Sequence, residues 1–202
     1  MWIVFDFIKT NYITLLILIT LLVMMATNRS NQIPGTGMIL VMCCIIFLIT
    51  LAEYAEVVID NQNLDYRLLY VKAALVYWLY PLLILLFLFI TDHVKYRVLM
   101  TIPWLIHAVV VAIDLTGTGL MYHYGPDHGF HGGVLAELPI FVEAFYVVLL
   151  VIYSIRNLKE QNRIKGGIIT FIALGVILTQ ILTFLDFPNS YIPAVAGMEI
   201  MT

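Results

Sequence analysis

Six long apolar windows, separated by short polar breaks, constrain this chain more than any other feature of its sequence. They fall near residues 11–27, 38–59, 68–90, 98–115, 138–155 and 166–185. An α-helix rising 1.5 Å per residue needs about 20 mostly apolar residues to cross about 30 Å of hydrocarbon. Each window meets or approaches that length. Of the 202 residues, 62% are hydrophobic and 11% charged, against about a quarter charged in soluble domains. A chain this short has no globular core large enough to bury so much apolar surface, so lipid must cover the rest. The expected fold is therefore all-α, a polytopic transmembrane helical bundle of six complete spans.

A seventh apolar stretch follows Pro188, and its part at 191–202 reads as the start of one more helix. With Glu199 inside it, the stretch is too short to complete a crossing. The expectation is a piece of a longer protein, ending within its seventh helix. The N-terminus lacks the charged region and small-residue cleavage site of a secretory signal, so the first span is expected to be retained.

Charge placement predicts orientation through the bias of Lys and Arg toward cytoplasmic loops. Arg29 lies in the first loop, Lys95 and Arg97 in the third, and Arg156, Lys159, Arg163 and Lys165 in the fifth. The opposite side holds Lys9, Arg67 and Lys72. The odd loops are thus expected inside and the N-terminus outside, in a multi-pass protein of the plasma membrane. The net charge of −3, without a long basic run, gives no reason to expect a nucleic-acid partner. Cys43 and Cys44 are helix neighbours pointing about 100° apart, so they are not expected to bridge. Tyr and Trp residues near the span ends, including Tyr66, Tyr70, Trp104, Tyr122 and Tyr124, suit an interfacial belt.

Ionisable residues inside spans are costly and point to function or to helix–helix ties. Glu53, Glu56 and Asp60 stand at i, i+3 and i+7, on one face of the second helix. His107 and Asp114 share a face of the fourth, and Glu143 lies in the first turns of the fifth. All six fall in the outer halves of their spans. They predict an outward-facing polar cavity that takes a small extracellular ligand or a proton. The alternative is a set of hydrogen-bonded helix ties.

The fourth loop carries "MYHYGPDHGFHGG", with His123, Asp127, His128 and His131 among glycines. Imidazoles and a carboxylate are transition-metal donors. Yet the spacing matches no defined metal site, the glycines predict a flexible loop, and no cofactor is expected. Serine nucleophile elbows, phosphate loops and H-E-x-x-H helices are all missing from the sequence, so the chain is not expected to be an enzyme.

Two stretches, "YRLLYVKAALVYWLYPLLILLFLFI" and "GFHGGVLAELPIFVEAFYVVLLVIYSI", carry a resemblance to a known group. They are similar to the N-terminal seven-helix membrane region of bacterial signalling proteins, namely diguanylate cyclases with a GGDEF domain and related sensor histidine kinases. The resemblance implies an outside N-terminus, a seventh helix leading to a cytoplasmic output domain, and homodimerisation through that domain, which this chain does not contain. The sequence departs from the group where Tyr80 precedes Pro81 and where Gly132-Gly133 stands at the loop-to-helix junction. On this reading the chain is a sensory input or anchor module. A small transporter or channel subunit and an intramembrane metal-dependent hydrolase are the alternative functions.

Overall fold

The computed structural model describes residues 2–27, 36–62, 64–90, 97–125, 129–159 and 174. These form five helices and one small hairpin: α1 (Trp2–Thr27), α2 (Thr36–Asn61), α3 (Arg67–Ile90), α4 (Arg97–Asp114), β1 (Tyr122–Tyr124), β2 (Phe130–Gly132) and α5 (Leu138–Lys159). Four helices are long and apolar enough to cross a membrane, over Ile3–Val23, Gly37–Asn61, Arg67–Ile90 and Arg97–Asp114. Between 17% and 44% of each of these spans is buried within the protein. The remainder is an outward surface of large apolar side chains such as Leu16, Ile19, Val98, Leu99, Ile106 and Val109. In water that surface would be a severe liability, whereas in lipid it needs no partner.

Of the six spans expected from sequence, four are found among the described residues. The apolar part of α5 covers only Leu138–Tyr153, less than a full crossing. The expected sixth span, 166–185, and the partial seventh, 191–202, lie outside the described residues. The helical expectation holds for most of the described residues, and the fourth loop adds a small two-stranded antiparallel sheet. The first span begins at Trp2 rather than near Asn11, with a break at Asn11 (φ −112°, ψ 20°). There the Asn11 side-chain amide donates to the Phe7 carbonyl at 3.1 Å, satisfying the backbone where the helix bends.

The chain divides into two units, one of Met1–Thr50 with Leu150–Thr202, the other of Leu51–Leu149. In the first, α1 buries Asn11, Thr14, Ile17, Leu18 and Leu21, and the first half of α2 buries Met42, Cys43, Ile45, Ile46, Ile49 and Thr50. Cys43 is buried while its neighbour Cys44, about 100° round the helix, is exposed.

The second unit carries every candidate functional residue. Within it α3 packs against α4 and against β1. An Asx turn starts α3, with the Asp65 carboxylate accepting from the Arg67 amide at 2.9 Å. A small apolar core gathers Ile59, Leu69, Ala73, Ala74, Val111, Met121, Tyr122 and Tyr124, flanked by Tyr66, Tyr70, Tyr77 and Trp78. The expected interfacial belt is thus partly a packed aromatic cluster. At α4's end Gly117 takes a positive φ of 82° while its amide bonds the Asp114 carbonyl at 2.9 Å, a conformation that suits glycine.

Candidate functional site

Both proline-bearing helices of the second unit have backbone groups to satisfy, and side chains from neighbouring helices satisfy them. Pro81 inside α3 has no amide hydrogen, which leaves the Tyr77 carbonyl four residues earlier without its helical donor. His107 of α4 fills the gap, with Nε2 2.9 Å from that carbonyl. A carbonyl only accepts, so Nε2 carries the proton, and in the neutral ring Nδ1 is a bare lone pair. Two indoles complete the tie. Trp104 Nε1 donates to the Trp78 carbonyl at 3.0 Å, and Trp78 Nε1 donates to the Ala108 carbonyl at 2.9 Å.

In α4, Pro103 disturbs the helix in the same way. Just beyond it the Tyr146 hydroxyl of α5 accepts from the Trp104 amide at 3.0 Å and donates to the Met100 carbonyl at 2.9 Å. These are the two groups that an uninterrupted helix would join directly. Tyr146 is fully buried, so its hydroxyl is spliced into the helix ladder away from water. His107, read from sequence as a candidate sensor of ligand or proton, is thus first a helix tie.

Asp114 also departs from the sequence expectation. Its side chain is 0% exposed and accepts four hydrogen bonds. Oδ1 takes the Thr118 hydroxyl at 2.8 Å and the Leu120 amide at 2.7 Å, while Oδ2 takes the amides of Met121 at 3.1 Å and Tyr122 at 2.9 Å. A carboxylate offers about four lone-pair positions, and the loop uses all of them. Asp114 therefore organises the chain leading into β1.

Glu53 and Glu56 meet a cation that the sequence reading had placed elsewhere in its account. Lys72 of α3 puts Nζ 2.6 Å from Glu56 Oε2 and 3.4 Å from Glu53 Oε2. The lysine side chain is 10% exposed, Glu53 12% and Glu56 36%. The expected cation position is filled by the protein's own ammonium, which ties the end of α2 to the start of α3. Asp60, one turn beyond Glu56, is exposed.

Glu143 is brought to the same region from α5. Tyr77 lies within the electrostatic reach of Glu143, Asp114, Glu53 and Glu56, and Tyr80 within that of Glu53 and Glu143. Acidic groups of α2, α4 and α5 thus act electrostatically on Tyr77, and those of α2 and α5 on Tyr80. Among the described residues, the buried Tyr80 hydroxyl and His107 Nδ1 have no hydrogen-bond partner.

The hairpin closes this end of the unit. Its strands pair Tyr122 with Gly132, His123 with His131 and Tyr124 with Phe130. Tyr122 and Tyr124 point inward and His123 outward, the period-2 alternation of a half-buried strand. Tyr70 of α3 receives the hairpin. Its hydroxyl lies 2.8 Å from His123 Nδ1 and accepts from the Tyr124 amide at 3.0 Å, while the Tyr122 hydroxyl donates to the Tyr70 carbonyl at 3.2 Å. Gly133 is required by close approach, because a Cβ there would fall 2.3 Å from the carbonyl oxygens of Gly119 and Leu120. Burial, reinforced by Asp114, holds the Tyr122 phenol well above the usual range. For Tyr124 burial acts with Glu56 to the same effect.

Asp127 and His128 lie outside the described residues. Among the described residues, no group of three or more His, Cys, Asp or Glu side chains is placed to hold a metal ion together.

The sequence reading missed Lys72, Tyr70, Trp78, Trp104 and Tyr146. Pro81 and Pro103 carried a signal for some of them, since each proline inside a span announces a carbonyl in need of an outside donor. The chain matches no protein-family model, no curated protein sequence and no solved structure.

Proposed function

We propose that the chain is a membrane-embedded sensory input module, set in the plasma membrane with its N-terminus and hairpin outside. It would act on a cytoplasmic signalling domain of the diguanylate cyclase or histidine kinase kind, dimerising through that domain. The observation that carries this reading is the Lys72 ammonium seated between Glu53 and Glu56. With both carboxylates ionised the triad keeps one net negative charge, so a proton or small cationic ligand from outside competes with Lys72. Occupied and unoccupied states differ in how firmly α2 is tied to α3, and a ligand that prefers one state shifts their populations. Tyr77, within the electrostatic reach of Glu53, Glu56, Asp114 and Glu143, extends the polar surface from this triad into the unit.

The test uses the full chain in lipid vesicles, with Trp78 and Trp104 as fluorescent reporters because both are bonded into the α3–α4 tie. Lowering the outside pH from about 8 to about 5, across the range in which carboxylates and histidines take up protons, should shift their emission. The Glu53→Gln/Glu56→Gln double variant should lose that shift. An emission indifferent to pH, or a shift unchanged in the double variant, would overturn the proposal.

A further inference from the structure

We propose that His123 and His131 form an exposed two-imidazole site for a transition-metal ion, oriented from behind by Tyr70. The two residues are register partners in the antiparallel hairpin, so their side chains leave the same face of the sheet. Directly opposed Cβ atoms stand about 4.5–5.5 Å apart. Both side chains are exposed, and their rings lie 6.3 Å apart, centroid to centroid, at 27°.

That spacing suits one bridging ion. A metal–nitrogen bond of about 2.0–2.1 Å puts each ring centre about 3.2 Å from the metal, so a single ion spans two centroids up to about 6.4 Å apart. The observed pair falls just inside this limit, and rotation of the exposed His131 side chain closes the angle toward tetrahedral. Imidazole favours zinc, copper and nickel over magnesium or calcium. With two protein ligands, water fills the other positions, which makes the site exchangeable rather than structural.

Tyr70 supplies what an isolated pair would lack. Metal-binding histidines usually bond their second ring nitrogen to an outer partner that sets the tautomer and ring direction. The Tyr70 hydroxyl lies 2.8 Å from His123 Nδ1. When Nδ1–H donates to that oxygen, Nε2 is left as a lone pair on the exposed side, ready for the metal. The phenol hydrogen then turns to the Tyr124 carbonyl, 3.5 Å away. Tyr70 is a positioning residue here and does not touch the ion. The site lies on the hairpin and does not depend on the sensory reading of the Lys72 triad.

The test is a titration of the purified full chain, free of any histidine tag, with Zn2+ and separately with Cu2+, using Mg2+ as control. One ion of Zn2+ or Cu2+ per chain should bind and Mg2+ should not. His123→Ala and His131→Ala should each weaken binding by about tenfold or more, and Tyr70→Phe by about tenfold. Electron paramagnetic resonance of the Cu2+ form should show two coordinated nitrogens, and one in either histidine variant. Both histidines are exposed, so each variant should keep its helices, which circular dichroism checks. Absence of binding to the native chain, or affinity and nitrogen count unchanged in both histidine variants, would overturn the proposal.

Discussion

Two groups of acids, the buried Asp114 on one side and the partly buried Glu53 with Glu56 on the other, are stabilised by opposite means. Asp114 is held by three backbone amides and a hydroxyl, with no cation among those four donors. Glu53 and Glu56 are held by a mobile ammonium on a four-carbon stem. Fixed dipoles belong to the chain and leave only if the loop unfolds. An ammonium is a point charge that a proton or another cation replaces without breaking the backbone. The first acid is therefore architecture, and the second is the place where the proposed exchange of cations would act.

The largest expected effect tests the architectural side. Asp114→Ala strands the buried amides of Met121 and Tyr122 and the part-buried amide of Leu120, and should cost about 3 kcal/mol. Denaturant unfolding in detergent would measure this, along with loss of amide protection across Tyr122–Tyr124. A variant as stable as the native chain would erase the contrast.

Next comes the exchangeable side. Lys72→Met leaves two carboxylates facing each other and should destabilise by about 2 kcal/mol, toward the lower end for broken buried pairs because Glu56 is partly screened by solvent. The triple variant that adds Glu53→Gln and Glu56→Gln should recover most of that loss. Failure to recover would mean that Lys72 matters for packing rather than charge.

Tyr146→Phe asks whether a neutral splice behaves like the dipole-held acid. Deleting the hydroxyl between the Trp104 amide and the Met100 carbonyl should cost about 1 kcal/mol. Trp104 emission should change with it.

The smallest effect concerns the hairpin at alkaline pH. Because burial raises the phenols of Tyr122 and Tyr124 in the folded state, their contribution to stability is complete below the ordinary phenol value of about 10. It is lost as pH rises through their higher folded values. Spectrophotometric titration should find late-ionising tyrosines, fewer of them in Tyr122→Phe. Two tyrosines that ionise normally would contradict their burial.

Much of the helical architecture was legible because length and apolarity report on lipid directly. Windows two to four coincide with α2, α3 and α4 to within two residues at each end. The common face of Glu53 and Glu56, which Lys72 bridges, was legible from the helix period alone. Their partners were not. Lys72 was read for the side of the membrane it marked, and nothing in a single sequence says which face of α3 meets α2. The hairpin was hidden by its glycines, which resemble a flexible loop until Asp114 is seen collecting the amides of residues 120–122. His107 illustrates the remaining gap. Its role follows from Pro81, 26 positions earlier in the chain, and becomes visible only when the two helices lie side by side.

That pairing of Pro81 with His107 limits how α3 and α4 can move past each other. The carbonyls of residues 77 and 78 are each claimed by a different side chain of α4, and one of those helix-3 residues reaches back to residue 108. Lengthwise sliding of either rod alone would break all three claims together, in surroundings with no water to replace them. Movement that keeps these bonds must therefore tilt or turn the two rods as a keyed pair.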